Sequence, residues 1–453
     1  MMYNGTLAIV GELEIARPFS MRTEPEFLAL LKILRDADTT CGHLEMLIHS
    51  YEGYPLRPFP GSETLHADPV IANEIKKGGI DIVSCAANHC LEWGADGILS
   101  TIKNLDRAGV IHAGTGMSLE EAREPAYFES EAGRVALISI SSGHHPYDSA
   151  GLAKPPIKGR PGVNPLRVTL KFVLDRDSAE KQKEIWQKLG LSTRPRPYLK
   201  LSEGEFYLNL EHCPYESYLE GFMFGVGDEC SVVDVPNQWD IECILKSVRD
   251  ARKVADLVLI GHHNALADPK RGYTPSKFIP PFAKKCIDAG ADVYIGHGWH
   301  RELGLEIYKH KPIFYGRGTF WAQLTSYLNR LPADSYEAAG LDLNNLTALT
   351  PEDYRGPHEP QGGLRHTGAP TGQYIGGTIP LLTLEEGRLS EIKLYPYSLG
   401  RIEKRMTGTR LDGRPMLTSG ENARMIIDYM RQLSAPFGTS VEFKEGIGVV
   451  KLS

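Results

Sequence analysis

Short apolar runs of strand length alternate with stretches of helical period along most of this chain. Residues able to ligate a metal recur where the runs stop. Residues 6–10 read as a strand that ends at Gly11. Residues 24–35 read as a helix, with Phe27, Leu30, Leu31 and Leu34 on one face. Residues 44–48 are a short apolar run, and 68–77 a helix with Asp68 as its cap and Pro69 at its first position. A buried strand at 80–86, a helix at 95–108 and strands at 110–113 and 135–140 follow. The rhythm returns with a helix at 240–254, a strand at 256–260, a helix at 278–289 and a strand at 292–295. Residues 303–308 and 312–315 read as a hairpin, 378–382 and 392–397 as strands, and 421–433 as a helix before two final strands. Strands interleaved with helices predict an α/β fold with helices on the faces of its sheets.

Two segments break the rhythm. In 143–235, Pro and Gly cluster between Pro146 and Pro165, a helix is expected at 178–189, and Arg194-Pro-Arg-Pro ends it. This segment is expected to be an inserted lobe. Residues 322–375 are rich in Gly, Pro and polar residues with little period, the mark of a functional lid or a mobile loop. The expected division is thus 1–142, the lobe 143–235, and 236–453 with its long loop at 322–375.

Composition excludes several classes. Hydrophobic residues make up 42% and charged residues 24%, so the chain is an ordinary globular one. Lys and Arg number 50 against 57 Asp and Glu, a net charge of -7, and a nucleic-acid binder would carry a basic excess instead. No apolar run reaches the roughly 18 residues of a membrane helix. The opening Met-Met-Tyr-Asn-Gly-Thr enters a strand directly, without the charged and apolar regions of a secretion signal. Seven cysteines, with no Cys-x-x-Cys pair, fit reduced thiols in a cytoplasmic protein better than a disulfide framework or zinc knuckle. No Gly-rich phosphate loop followed by Lys-Ser/Thr is present, which disfavours a nucleotide-driven motor.

Five polar clusters stand at strand ends: Gly11-Glu12-Leu13-Glu14, His43-Leu44-Glu45, Asn88-His89, Gly261-His262-His263-Asn264 and Gly296-His297-Gly298-Trp299-His300. The carboxyl ends of strands form the ligand crevice of open α/β sheets, so these clusters are expected to converge. Carboxylates, imidazoles and an amide oxygen without thiolates suit two divalent ions, Mn, Fe, Zn or Mg. The two-residue period of a strand puts Glu12 and Glu14 on one face. Two ions roughly 3.5–4 Å apart can activate a bridging water and clamp a leaving oxygen.

In order and spacing these motifs resemble the CapA family of poly-γ-glutamate capsule synthesis proteins, grouped with the calcineurin-like metallophosphoesterases. That family shows Gly-Asp, then Asn-Leu-Glu, Asn-Asn-His, a later His, and Gly-His-x-x-His. Here they read Gly11-Glu12, His43-Leu44-Glu45, Ala87-Asn88-His89, His262 and Gly296-His297-Gly298-Trp299-His300. The resemblance covers about 6–141 and 254–321 and is closest from Ile80 to Thr115. Glu12 replaces the family Asp, His43 adds an imidazole where the family has Asn, and Arg317-Gly318-Thr319-Phe320 replaces Leu-Gly-Asn-Phe, bringing a cation near the site.

The resemblance implies a four-layer α/β/β/α metallophosphoesterase-like sandwich with an inserted lobe, and a dinuclear metal-dependent hydrolase. A metal-bound hydroxide would attack a phosphoester, or an amide, γ-glutamyl or lactone bond, of an anionic small molecule or polymer. Glu12, Glu14, Glu45, Asn88, His262, His297 and His300 are the expected metal ligands. His263, adjacent to His262, would point away from it if the backbone were extended, and its role is left open. His89 is the expected general acid, since imidazole titrates near neutral pH, with Glu92 to orient it. Arg301, Arg317 and His144 are the expected substrate contacts. His112 is expected to be structural. No nucleic acid and no membrane span are expected as partners, and a homo-oligomer is left open. The rival readings are a non-catalytic assembly or export factor in poly-γ-glutamate capsule synthesis, and a binding module with one structural metal.

Overall fold

Thr-Leu-Ala-Ile-Val, four apolar residues behind a Thr, builds the strand β1 (Gly5–Glu14), on which the rest of the larger sheet is laid. The computed structural model describes residues 2–56, 64–190, 205–208, 222–264, 274–323, 331–338, 340–341, 343–344, 376–399 and 413–452. After β1 come α1 (Pro25–Asp36), β2 (Thr39–Leu44), α2 (Val70–Lys77), β3 (Ile82–Ser84), α3 (Gly94–Ala108) and β4 (Ile111–Ala113). Then follow β5 (Ala126–Ser130), β6 (Gly133–Ser141), α4 (Gln238–Arg252), β7 (Leu257–His263), α5 (Ile279–Ala289) and β8 (Val293–His297). The chain closes with β9 (Leu305–Tyr308), β10 (Lys311–Phe314), β11 (Thr319–Ala322), β12 (Gly376–Glu385), β13 (Arg388–Ser398), α6 (Gly420–Ser434), β14 (Val441–Lys444) and β15 (Ile447–Val450). The fold is mixed α/β.

Two units divide the chain: Met1–Pro165, Cys243–Ala265 and Phe282–Ser453 form the larger, Leu166–Glu242 and Leu266–Pro281 the smaller. In the smaller unit the strands Glu205–Leu208, Phe222–Val226, Val168–Leu174 and Ser231–Pro236 lie side by side. The helix Arg176–Lys188 is capped by Asp175, which accepts the Ser178 N–H, and buries Ala179 and Trp186 against Leu174 and Phe224. Residues 143–165 belong to the larger unit, while the sequence-based lobe starts at 143. Arg194-Pro-Arg-Pro and most of 322–375 lie outside the described residues.

Within the larger unit, one sheet has the order β14-β15-β13-β12-β1-β2-β3-β4, with β11 pairing in parallel to β1. The other has the order β9-β10-β8-β7-β6-β5. The β1–β2–β3–β4 neighbours are parallel, and so are β6–β7–β8. One core cluster joins the facing sides of the two sheets: Leu7, Ile9, Cys41 and Ile82 from the first, Val135, Leu137, Leu257, Leu259, Val293 and Ile295 from the second. On the far side of the first sheet, Ala8, Val10 and Val83 pack with Phe27, Leu30, Leu31 and Leu34 of α1 and Ile71 and Ile75 of α2. On the far side of the second, Phe282 of α5 packs its ring against Tyr294 at 6.4 Å between centroids.

Position parity along these strands decides what reaches the space between the sheets, and β1 changes its parity part-way. Leu7 and Ile9 face that space, while Ala8 and Val10 face the helices. Ile9 pairs with Cys41, but Glu12 pairs with His43, so β1 carries one residue more than β2 between these pairs. This β-bulge shifts the alternation by one place. Leu13 and Ile15 therefore join the helix-side core, and Glu12 and Glu14 turn inward. At the bulge, the Glu12 N–H donates to Gly318 O at 3.2 Å. A Cβ on Gly11 would lie 1.7 Å from that same carbonyl oxygen, so the approach needs glycine. Gly11→Ala is expected to lower stability by about 2–3 kcal/mol through forced backbone separation. Urea unfolding reads this directly, and an unchanged midpoint would show that the two segments do not need their close contact.

Candidate metal centre

The facing sides of the sheets are apolar through their middle and become polar where the parallel strands end. On β2, Cys41 faces inward and by alternation so does His43, and Glu45 follows one residue past the strand's end. On β7, Leu257 and Leu259 face inward and so does His263; on β8, Val293 and Ile295 are followed by His297. Gly261 lets the sheets close up here, since a Cβ on it would stand 2.7 Å from Ser84 Cβ of β3. Ser84 Oγ is 2.7 Å from His43 Nδ1, and His43 Nε2 is 3.0 Å from His263 Nδ1. The His43 ring stacks on His297 with centroids 4.4 Å apart.

The turn after β8 brings the last imidazole back under β1. Gly298 (φ 99°) and His300 (φ 52°) are in the left-handed region, a strained conformation for histidine. The Gly298 N–H donates to Glu12 Oε1 at 2.6 Å, and Thr319 Oγ donates to Glu12 Oε2 at 2.9 Å. His300 Nδ1 lies 2.9 Å from Glu12 Oε2 and 3.5 Å from Glu14 Oε1, and its Nε2 lies 3.7 Å from Glu45 Oε1. His263 Nε2 is 3.9 Å from the same Glu45 oxygen.

Two groups of donors result, all buried except the partly exposed His300. In one, a donor atom from each of His43, Glu45 and His263 lies within 4.8 Å of the others; in the other, the same holds for Glu12, Glu45 and His300. Glu45 belongs to both. The donors themselves fit a cation. Neither carboxylate oxygen of Glu45 takes part in a hydrogen bond, nor does Asn88 Oδ1 or His297 Nδ1, and all four atoms are buried. Leaving such groups unmatched in an apolar interior is costly, and atoms of these types are ones that a divalent ion would match.

Protonation follows burial and charge. Burial pushes the Glu45 carboxyl up to about 7, against the pull of His300. Burial also opposes the charge on Glu12, but His300 and the Gly298 N–H outweigh it and hold the group down at about 2. His43, His263 and His297 are held well below the usual histidine range by burial and by one another, which leaves them neutral with lone pairs to donate. His300 is also desolvated, yet Glu12 and Glu45 raise it well above that range. Beside the cluster, His89 Nδ1 is 2.7 Å from Glu92 Oε1. Burial opposes charge on His89, and Glu92 outweighs it, so the ring titrates at about 9 with Glu45 and Glu14 adding to the shift.

Of the sequence-predicted ligands, Glu12, Glu45 and His300 meet in one group, Glu14 lies against His300, and His297 stacks on His43. Asn88 sits on the loop between β3 and α3 with its oxygen buried. His262 does not join them. It is on the opposite face of β7, where Nε2 is 2.8 Å from Ser142 Oγ and Nδ1 is hydrogen-bonded to Tyr294 OH. Its place is taken by His263, because β7 stays extended through both residues rather than ending at 260. His43, expected only as an added imidazole, sits at the centre of the nitrogen donors.

Of the predicted substrate contacts, Arg317 is already matched within the fold. Arg317 is buried, its guanidinium paired with Glu302 and bonded to Thr378 O. Glu302 in turn accepts the Thr378 N–H at 2.8 Å. This arginine ties the segment leading into β11, which begins at Thr319, to β12. Arg301 is also buried, and His144 Nε2 is 2.9 Å from Ser149 Oγ in its own loop. His112 pairs with Asp106 at 3.1 Å.

Comparison with known proteins agrees with these motifs. The chain belongs to the family described as Bacterial capsule synthesis protein PGA_cap, whose model matches residues 6–323. Two relatives from Sinorhizobium fredii (strain NBRC 101917 / NGR234), "Uncharacterized protein y4sH" and "Uncharacterized protein y4uA", are each 31% identical over 453 residues, covering 99% of this chain and 93% of theirs. "Capsule biosynthesis protein CapA" of Bacillus anthracis is 21% identical over 325 residues, 70% of this chain and 59% of that protein. The resemblance to the CapA family read from the motifs is thereby shown. No helix among the described residues is long and apolar enough to cross a membrane.

Two outcomes follow from this geometry. Arg317→Leu should lose about 3–5 kcal/mol of stability, because Glu302 is left as an uncompensated buried charge, and adding Glu302→Gln should recover part of it. Thermal unfolding of both variants tests this; a single-variant loss within experimental error would remove the pair from the account. Metal affinity should fall with pH below 7, by about tenfold per unit from Glu45 alone, since a proton then competes for its carboxylate. Deprotonation of His300 works in the same direction. Calorimetric titration with Mn²⁺ at pH 6 and pH 8 checks the sign, and tighter binding at pH 6 would contradict it.

Proposed function

We propose that this protein is a CapA-like dinuclear metal-dependent hydrolase that acts on a phosphoester, amide, γ-glutamyl or lactone bond of an anionic small molecule or polymer. The observation that carries the reading is one buried carboxylate, Glu45, shared by two donor groups, with a protonated imidazole at its side. The order of the sheets, their common core and the outer helices support the four-layer α/β/β/α metallophosphoesterase-like arrangement for the larger unit.

In this reading His43, His263 and Glu45 hold one cation, and Glu12, His300 and Glu45 the other, with Glu14, Asn88 and His297 as nearby donors. When bound, divalent ions supply Lewis acidity and make water a nucleophile near neutral pH. The chain's own residues do the rest. Ser84 holds the His43 ring through Nδ1 and so leaves Nε2 turned toward His263. Thr319 and the Gly298 N–H fix both oxygens of Glu12. His89 keeps its proton at neutral pH because Glu92 stabilises the charged ring, and Nε2 is the atom left to hand a proton to a leaving group. The name of the Bacillus anthracis relative and the family description support a capsule polymer or its precursor as the substrate class.

Metal content of protein purified without added metal, followed by turnover of phosphodiester, phosphomonoester and γ-glutamyl amide substrates, tests the proposal. His89→Ala is expected to keep its metal and lose about 10²–10⁴-fold in kcat, the usual contribution of a general acid. Bound metal with no turnover on any substrate would favour the assembly or export role, and absence of metal affinity would end the hydrolase reading.

A further inference from the structure

Apart from the metal donors, four rings crowd together on the other side of Glu92. The short parallel pairing of Leu47–Ile48 with His66–Ala67 brings His49 beside His66. Trp93 follows Glu92 at the start of α3, and Gly53 lies against its backbone so closely that a Cβ there would be 1.9 Å from Trp93 O. His49 and His66 have ring centroids 4.8 Å apart, His49 and Trp93 4.8 Å, and His66 and Trp93 5.0 Å. Tyr51 closes the group at 4.6 Å from His66 and 5.6 Å from Trp93. The three inner rings are buried, whereas Tyr51 is 53% exposed.

Two hydrogen-bond donors inside this group have no acceptor. His49 Nδ1 accepts the Tyr51 N–H at 3.0 Å. Burial holds the His49 ring neutral, titrating at about 4, so its single proton is on Nε2. That Nε2–H and the indole N–H of Trp93 are both buried without a hydrogen-bond partner. Buried donors in proteins are nearly always met by an oxygen, from the chain, from water or from a ligand. The charge around them selects the ligand. Glu52 and Asp68 act on His49, and Glu92 accepts the Leu65 N–H at 2.8 Å next door, so an anion is repelled. A cation would be attracted but has no lone pair for the donors.

We propose that the His49–Tyr51–His66–Trp93 cluster is a binding site for a neutral, hydroxyl-bearing ring of the pyranose type. Its oxygens accept from His49 Nε2 and Trp93 Nε1, its C–H face lies on the aromatic rings, and Tyr51 is the cover. Tyr51 has φ 63°, an unfavourable conformation for an aromatic residue, and its own N–H bond to His49 holds it there. A swing of the Tyr51 side chain about its Cα–Cβ bond would open the cluster while keeping the N–H bond to His49. The inference does not depend on metal or on hydrolysis.

The test uses the full chain and the indole N–H signals of its five tryptophans in ¹⁵N–¹H spectra, with Trp93→Phe to assign Trp93. N-acetylglucosamine is the probe, with glucuronate and tetramethylammonium as the anionic and cationic controls. A saturable shift of the Trp93 signal with the neutral sugar alone is expected. In calorimetry, affinity should drop about tenfold in Trp93→Phe, which keeps an aromatic ring and removes one donor. Tyr51→Gly, which suits the left-handed backbone and removes the cover, should bind at least as tightly as the parent. No saturable shift in the parent or in Tyr51→Gly would overturn the proposal and assign the donors to buried water. An equal response to glucuronate or tetramethylammonium would overturn it as well.

Discussion

Three carboxylates, Glu12, Glu14 and Glu45, are sunk between two apolar sheet faces, and much of the surrounding structure serves to make that placement tolerable. Buried charge is stable only when paired, hydrogen-bonded or matched to a cation. Glu12 meets this condition through His300, Thr319 and the Gly298 N–H, and that requirement shapes the strained turn after β8. The Glu302–Arg317 pair, itself buried, anchors the segment that leads into β11 and Thr319. Glu45 has no hydrogen bond and only ionic neighbours at longer range, so burial leaves its carboxyl raised.

The position of this polar patch follows from parallel topology. β1, β2, β3, β7 and β8 run in parallel within their sheets, so residues far apart in sequence end together. Their middles supply Leu, Ile and Val to the core, and their ends supply imidazoles and carboxylates on the same inward face. The bulge in β1 is the one irregularity this plan needs. Without the extra residue between Ile9 and Glu12, unbroken alternation would turn Glu12 and Glu14 toward α1 and α2 and leave Leu13 facing the donors. A local irregularity of backbone thus decides whether Glu12 and Glu14 face the other donors.

Much of the framework was legible in the chain. The helix of Phe27, Leu30, Leu31 and Leu34 and the hairpin of β9 and β10 appear where periodicity and turn residues put them. The convergence of Glu12, Glu45 and His300 could be read because donor-type residues stood at the ends of apolar runs in a recognisable order. The choice between His262 and His263 could not. β7 is apolar on both faces, with Leu257 and Leu259 toward one sheet and Val258 and Ile260 toward the other side, so no alternation marks which histidine turns inward. Arg317 was misleading for a related reason, because its partners Glu302 and Thr378 come from other segments and only folding reveals that its charge is already matched.

By itself, the order of residues determined that strands and helices alternate, that donors cluster at strand ends, and that the chain carries the CapA motifs. Those features are local, since they depend on spacing along the chain and on side-chain chemistry. Tertiary structure alone decided that His43 and His263 meet over Ser84, that β1 bulges at Gly11, and that Arg317 is buried against Glu302. Each of these depends on which face of a strand looks across to another sheet, a relation set by pairing register and close approach between distant segments.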